Sequence, residues 1–493
     1  MWWHFQKLPL AISLPGILIL MMMIPSLHGF YAGNVHQGRT FFYAVLLGLF
    51  ALIFLNFSLK GAHFSAHRHT QLWSLFAFYL GFPILLAVPL HEVAASGSFI
   101  NSYLDIVSTV TTTGLPIFPT STLSETLVIW RVCLGWACGF LIWVFAWSVF
   151  APLNLGGFEH LGSRGSASSF YTIGSTGKTR LPAEKFWREA FRLAPIYLWI
   201  TATTSLALLI LSGDPAFAIL RAMATIATFG LEIPGHSGVG WSGEVILMVV
   251  MVFALSRATF SNRFTKTPKW YFFRDPELQV AVILITGAIL LLFCMQWPKL
   301  TGATGYVKAI WGFLFTSLSF LSTTGVISEY FPSALLESSK AYFVIGTLAM
   351  FGGGVATTAG GIKLLRVYIL ARHCKAEVDR LIAPTQVISG QSEKLLTSHH
   401  NAMLACVFLM LFILVFAAIT LGLTLTGSSV DDALLLTLAT LTNTGPIAQG
   451  VGALANTGLE LGTDAKLILA LAMIFGRLEV LALLALLNPD IYR

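Results

Sequence analysis

Apolar runs near 20 residues long recur along the chain, at roughly 8–27, 40–58, 72–90, 127–152, 194–212, 241–260, 278–296, 340–370, 402–425 and 465–488. Each is long enough to cross about 30 Å of hydrocarbon as a helix, so the pattern predicts ten spans. Between some of them lies a stretch too short and too polar to cross: 98–116, 214–232, 309–327 and 429–447. Each carries about three helical turns of apolar residues, then a polar run that closes on glycine. Turn signals flank them, Gly213-Asp214-Pro215 ahead of one and Leu115-Pro116 behind another. This layout predicts a half-helix dipping in from one side, followed by an extended return. Irregular backbone at membrane depth survives only where protein buries it or water reaches it.

The four polar runs are Thr111-Thr112-Thr113-Gly114, Ala227-Thr228-Phe229-Gly230, Ser322-Thr323-Thr324-Gly325 and Thr442-Asn443-Thr444-Gly445, with glycines 116, 95 and 120 residues apart. Four residues before each glycine stands an apolar anchor (Val110, Ile226, Leu321, Leu441), and two before it a small polar residue (Thr112, Thr228, Thr323, Asn443). For any single run, a helix C-cap with a left-handed glycine is a sufficient explanation. Four in register on one predicted side point to a ring of backbone carbonyls that replaces the water around a permeating cation. Glycine is then expected to supply the positive φ that lets successive carbonyls face an axis. The half-helices would aim their negative C-terminal ends at the same place.

Composition agrees with a chain that lives in lipid. It is 56% hydrophobic and 10% charged, with a mean hydropathy of +0.79, against about 25% charged in soluble domains. The net charge of +7 does not indicate nucleic acid, because the basic residues gather in alternate loops, as in Arg164–Arg192, Arg257–Arg274 and Lys363–Lys394. The positive-inside rule then puts both termini in the cytoplasm and the four polar runs outside. The first apolar run is longer than a signal-peptide core and is read as a retained span. The five cysteines have no paired spacing, so neither a disulfide framework nor a zinc site is expected. His63, His67 and His69 lack a completing Cys or acid, which favours an ordinary basic loop over a metal site. Asp105, Asp214, Glu232, Asp431 and Asp432 fall on the outer side, where acids raise local cation concentration or cap helices. Arg221 lies in the second half-helix, either anchoring it or facing outward.

Two further motifs stand inside spans. One is Gly352-Gly353-Gly354-Val355-Ala356-Thr357-Thr358-Ala359-Gly360-Gly361-Ile362-Lys363; the other is Gly476-Arg477-Leu478-Glu479. With the four polar runs, they make the chain resemble the Trk/Ktr/HKT superfamily of potassium transporters, specifically bacterial TrkH/TrkG-type membrane subunits, over about residues 70–490. The resemblance implies an all-α polytopic membrane protein. Four pseudo-repeats of span, pore loop and span surround one pore at 71–160, 161–262, 263–385 and 386–493, and 1–70 forms two extra N-terminal spans.

A run so rich in glycine is a poor helix interior, since each glycine costs about 1 kcal/mol relative to alanine. The span should therefore break at about Gly352–Gly361. The resemblance implies a gate there, made of Gly352, Gly353, Gly354, Val355, Ala356, Thr357, Thr358, Gly360, Gly361 and Lys363. Small-residue helix packing is the competing reading. A P-loop does not match, because no Ser or Thr follows Lys363. Arg477 stands mid-span, where a charge faces water or a partner. The resemblance places it in the pore near the gate, and snorkelling or pairing is the plain alternative. Phe229, Asn443 and Pro446 depart from fourfold likeness.

The function implied is potassium uptake down the electrochemical gradient through the bacterial inner membrane. K+ is the only bound species expected, with no organic cofactor and no catalysis. A proton- or sodium-coupled potassium symporter and a sodium-permeable transporter are the alternatives. A homodimer, and a cytoplasmic ring of nucleotide-binding regulatory subunits docked on loops 153–193 and 363–398, come from the resemblance alone.

Overall fold

The computed structural model describes residues 10–58, 68–94, 98–118, 123–151, 182–233, 238–256, 275–297, 303–382, 399–451 and 461–478. Among these residues the chain is helical, without strands. The first predicted span is two helices, α1 (Leu10–Met21) and α2 (Met23–Tyr31). Pro25 explains the break, since its ring lacks an N–H and clashes with the carbonyl four residues back. The second span is α3 (Val35–Ser58), whose Leu47, Phe50, Phe54 and Phe57 are exposed, an apolar face suited to lipid.

Four units follow in order. The first is α4 (Arg68–Ala94), the short α5 (Phe99–Val110) and α6 (Glu125–Phe145), which runs on into a π-helical turn at Ala146–Phe150. The second is α7 (Pro182–Ser212), the short α8 (Pro215–Ile226) and α9 (Gly240–Phe253). The third is α10 (Pro276–Gln296), α11 (Ala303–Leu321), a single turn α12 (Ser333–Leu336), α13 (Ser339–Phe351) and α14 (Leu364–Ile382). The fourth is α15 (His399–Leu425), the short α16 (Val430–Leu441) and α17 (Thr463–Leu478).

Among the described residues, seven segments are helical, long and apolar enough to cross a membrane. Helix α9 is shorter than its predicted span, because the chain turns at Ala254 and Leu255. The predicted 340–370 span is split between α13 and α14, as its glycines required. The half-helices start where capping chemistry permits. Asp214 accepts hydrogen bonds from the amides of Ala216 and Phe217, and Ser429 accepts one from Asp432.

The units form a closed ring. The second span of each packs on the half-helix of the next: α6 on α8, α9 on α11, α13 on α16, and α17 back on α5. This arrangement buries the half-helices, so side chains that sequence placed at the outer surface are partly internal. Asp105 is fully buried in an ion pair with Arg131 of α6 at 2.7 Å, a correction to its reading as an outer acid. Glu244 is also buried. It accepts hydrogen bonds from the Trp311 indole (2.5 Å), the Ser328 hydroxyl (2.7 Å) and the Glu329 amide (3.1 Å), fastening the second unit to the third.

Candidate functional site

All four polar runs end their helices in one way. The amides of Thr113, Phe229, Thr324 and Thr444 donate to the carbonyls five residues back, those of Ser108, Ala224, Ser319 and Ala439, at 2.7, 2.9, 2.9 and 2.8 Å. The preceding amides, of Thr112, Thr228, Thr323 and Asn443, donate three residues back at 3.0, 3.1, 3.0 and 3.2 Å. These paired bonds make a Schellman motif, which needs a left-handed residue at the turn. Thr112, Thr228, Thr323 and Asn443 supply it, at φ of 52°, 50°, 58° and 54°. Sequence assigned that role to the glycines. The structure puts it two residues earlier in every unit, and on glycine as well only at Gly114 and Gly325. The helix cap and the turn towards a common centre are thus one feature. A non-glycine residue in this region costs roughly 1–2 kcal/mol, and it lasts only where its surroundings hold it.

The four runs meet. A Cβ added to Gly114 would lie 3.2 Å from the Gly230 nitrogen, and one on Gly230 2.4 Å from the Thr324 carbonyl oxygen. One on Gly325 would lie 2.8 Å from Pro446, and one on Gly445 2.3 Å from the Gly114 carbonyl carbon. Contacts therefore pass from unit one through two, three and four and back to one. The carbonyl of Thr113 accepts a hydrogen bond from the Gly445 amide at 2.6 Å, so the fourfold set expected from sequence has one oxygen committed to a neighbour here. Thr111, Thr112, Thr113, Ser322, Thr323, Thr324, Thr442, Asn443 and Thr444 are all buried. The Phe229 ring turns back against Gly135 of α6, beside Val128 and Val132, so its departure from threonine falls on the outer wall of the loop. Ala227 is buried in the same cluster.

The glycine-rich run lies directly against these turns. From Gly352 to Lys363 the backbone is irregular, with Gly352, Ala356, Gly361 and Lys363 left-handed. Its ends close on themselves, through Ile362 to the Met350 carbonyl (2.9 Å) and Lys363 to that of Phe351 (3.0 Å). Gly353 lies against Ala254, and Thr357 bonds the Gly354 carbonyl within the loop. The Gly354 amide donates to the Ala254 carbonyl (3.1 Å), and that of Val355 to the buried carboxylate of Glu277 (3.0 Å). Towards the turns, the Gly360 amide donates to the Thr323 hydroxyl at 3.0 Å, and the Thr228 hydroxyl donates to the Thr358 carbonyl at 3.2 Å. Gly360 also approaches the Thr442 carbonyl so closely that a Cβ would lie 2.1 Å from it. The Lys363 ammonium turns back on the Ala359 carbonyl, and the run is no helix, which argues against the helix-packing reading.

Arg477 joins loop and turn. Its Nε donates to the Thr111 carbonyl at 2.8 Å, Nη1 to the Thr358 carbonyl at 2.7 Å, and Nη2 to the Thr112 hydroxyl. It neither snorkels nor pairs with a described carboxylate; Glu479 lies outside the described residues. Four donors or partners escaped the sequence reading: Glu277, Arg131, Glu244 as a hub, and the Met473 carbonyl, which accepts from Asn443 at 2.9 Å. Asp275-Pro276-Glu277 reads as an ordinary helix start, with Asp275 capping, so nothing marked its second acid. Arg221 carries the charge opposite to Asp105 at the matching position, nine residues before its glycine, and sits in the field of Glu232, Glu244 and Glu329. His63 and His67, residues 153–181 and 383–398 of the two basic loops and the residues beyond 478 lie outside the described residues, and so does the side chain of His69.

Comparison with known proteins places the fold. A family model described as TrkH, cation transport protein, matches residues 245–489. The Trk system potassium uptake protein TrkH of Halomonas elongata is 25% identical over 511 residues, covering 99% of this chain and 100% of that one. The protein of the same name from Vibrio parahaemolyticus is 27% identical over 411 residues, 80% of each chain. The crystal structure of the potassium transporter TrkH from Vibrio parahaemolyticus shares the fold, with a TM-score of 0.78 over 97% of both chains at 22% identity.

Proposed function

We propose, on the premise that the chain belongs to the TrkH family of cation transport proteins, that it admits potassium through the bacterial inner membrane, with the four turns as filter and the glycine-rich loop as gate. The observation that carries this reading is the convergence of four equivalent turns over one irregular loop. A bare cation loses hydration worth tens of kcal/mol. Carbonyls at the ends of four helices, each presenting its negative pole, are the groups able to offset that loss. The entering ion would take the Thr113 carbonyl from the Gly445 amide. Inward movement is driven by the membrane potential, about 2.3 kcal/mol per charge per 100 mV. No covalent chemistry is required.

Seated beneath the turns, the loop from Gly352 to Lys363 obstructs the route, and the buried guanidinium of Arg477 adds a repulsive charge beside it. A small cavity lined by Tyr197, Thr225, Val250, Phe253, Thr357 and Thr358 adjoins the loop. The units at 71–160, 161–262, 263–385 and 386–493 act as the four quarters of the pore. Both termini lie in the cytoplasm, two copies associate, and a nucleotide-binding ring docks on the cytoplasmic side. The test is rescue of growth on low potassium in cells lacking their own uptake systems, with sodium as competitor. Rescue that sodium does not abolish is expected. Deleting residues 353–355 should raise basal flux; a folded deletion variant that conducts like the parent would remove the gate from this account.

A further inference from the structure

The four left-handed turns are strained, and each turn residue's side chain is held by at least one hydrogen bond. Thr112 is held by Arg477, Thr228 by the Thr358 carbonyl, and Thr323 by the Gly360 amide. Asn443 bonds the Met473 carbonyl and the Thr113 hydroxyl, each at 2.9 Å. Two of these five holders are atoms of the glycine-rich loop, and a third, Arg477, is itself bonded to that loop at Thr358. Thr358 is therefore the hinge point, where one carbonyl accepts from the second unit's turn and from the arginine that braces the first. Only the fourth turn has holders outside this set.

We propose that Thr112, Thr228 and Thr323 are positioning residues that latch the filter to the loop beneath it. With the loop seated, three turns keep the left-handed geometry that aims their carbonyls. When the loop leaves, the Gly360 and Thr358 bonds go with it, Arg477 loses one of its anchors, and those turns lose support unless a permeant ion replaces it. In the open form a bound potassium ion must therefore take over the hold on these turns, which keeps conduction selective, and the loop restores the latch each time it reseats. This rests on the filter-and-gate reading above.

The test uses the full chain in proteoliposomes, with potassium and sodium flux measured on the same preparations. Thr228→Val with Thr323→Val keeps side-chain shape and removes both hydroxyls. Basal flux should rise several-fold and the potassium-to-sodium ratio fall several-fold together, with serine at both positions recovering most of the ratio. Deletion of residues 353–355, which leaves every filter residue in place, should lower the ratio as well. A ratio that stays at the parental value in the deletion variant overturns the latch, as does a valine pair that changes flux alone. If the valine pair fails to fold, the deletion decides. A parent chain that carries no potassium would sink the transport reading instead, so the two failures are distinguishable.

Discussion

The odd and even units make the same turn with different support. In units one and three, a serine on the last helical turn accepts a hydrogen bond from the amide that follows the glycine: Ser108 from Leu115 and Ser319 from Val326, both at 2.7 Å. The matching residues in units two and four are Ala224 and Ala439. The odd units also tie their first and third filter hydroxyls, Thr111 to Thr113 at 2.7 Å and Ser322 to Thr324 at 2.9 Å. Gly114 and Gly325 are left-handed, at φ of 73° and 77°, whereas Gly230 and Gly445 are not. The even glycines are instead pressed against backbone of the neighbouring unit. One letter, repeated four times, thus answers two demands: backbone conformation on one diagonal and space on the other. The ring is closer to twofold than to fourfold.

That contrast can be broken by substitution. The largest effect is expected from Gly230→Ala or Gly445→Ala, whose new methyl would lie 2.4 or 2.3 Å from fixed backbone. Overpacking of this kind costs about 1–3 kcal/mol, so potassium uptake should fall roughly tenfold or more, measured as rescue of growth and as flux. Gly114→Ser meets looser surroundings, with 3.2 Å to the Gly230 nitrogen, but must hold a left-handed φ. It should conduct while its preference for potassium over sodium falls several-fold in competition flux. Ser108→Ala or Ser319→Ala removes one hydrogen bond and should destabilise the folded protein by about 1 kcal/mol, read by thermal unfolding in detergent. Ala224→Ser should give no matching gain; a gain as large as the serine losses would erase the odd–even distinction.

Much of this was legible in the chain. Alternating spans and half-helices follow from the lengths of apolar runs, and Asp214 and Pro215 mark a helix start with a known mechanism. The break in the third unit follows from glycine density, and it runs to Lys363 rather than Gly361 because Lys363 adopts a left-handed conformation before α14 begins. Other features depend on tertiary context. No propensity assigns a positive φ to threonine, so the turn residues were visible as a pattern but not as the site of strain. Asp105 reads as an outer acid because sequence gives depth along a span but not which side faces a neighbour. Glu277 meets the loop through the packing of α10 on α13 and α14 within the third unit, and Ala254 does so because the second unit closes on the third.

The pair between Asp105 and Arg131 also has a consequence for biogenesis. A carboxylate entering hydrocarbon alone costs about 2.5–3.5 kcal/mol even on the lenient scale, and its guanidinium is synthesised 26 residues later. Helix α5 therefore has no inexpensive way into the bilayer until α6 has left the ribosome. Entering together, with the charges already joined, α5 and α6 avoid that cost.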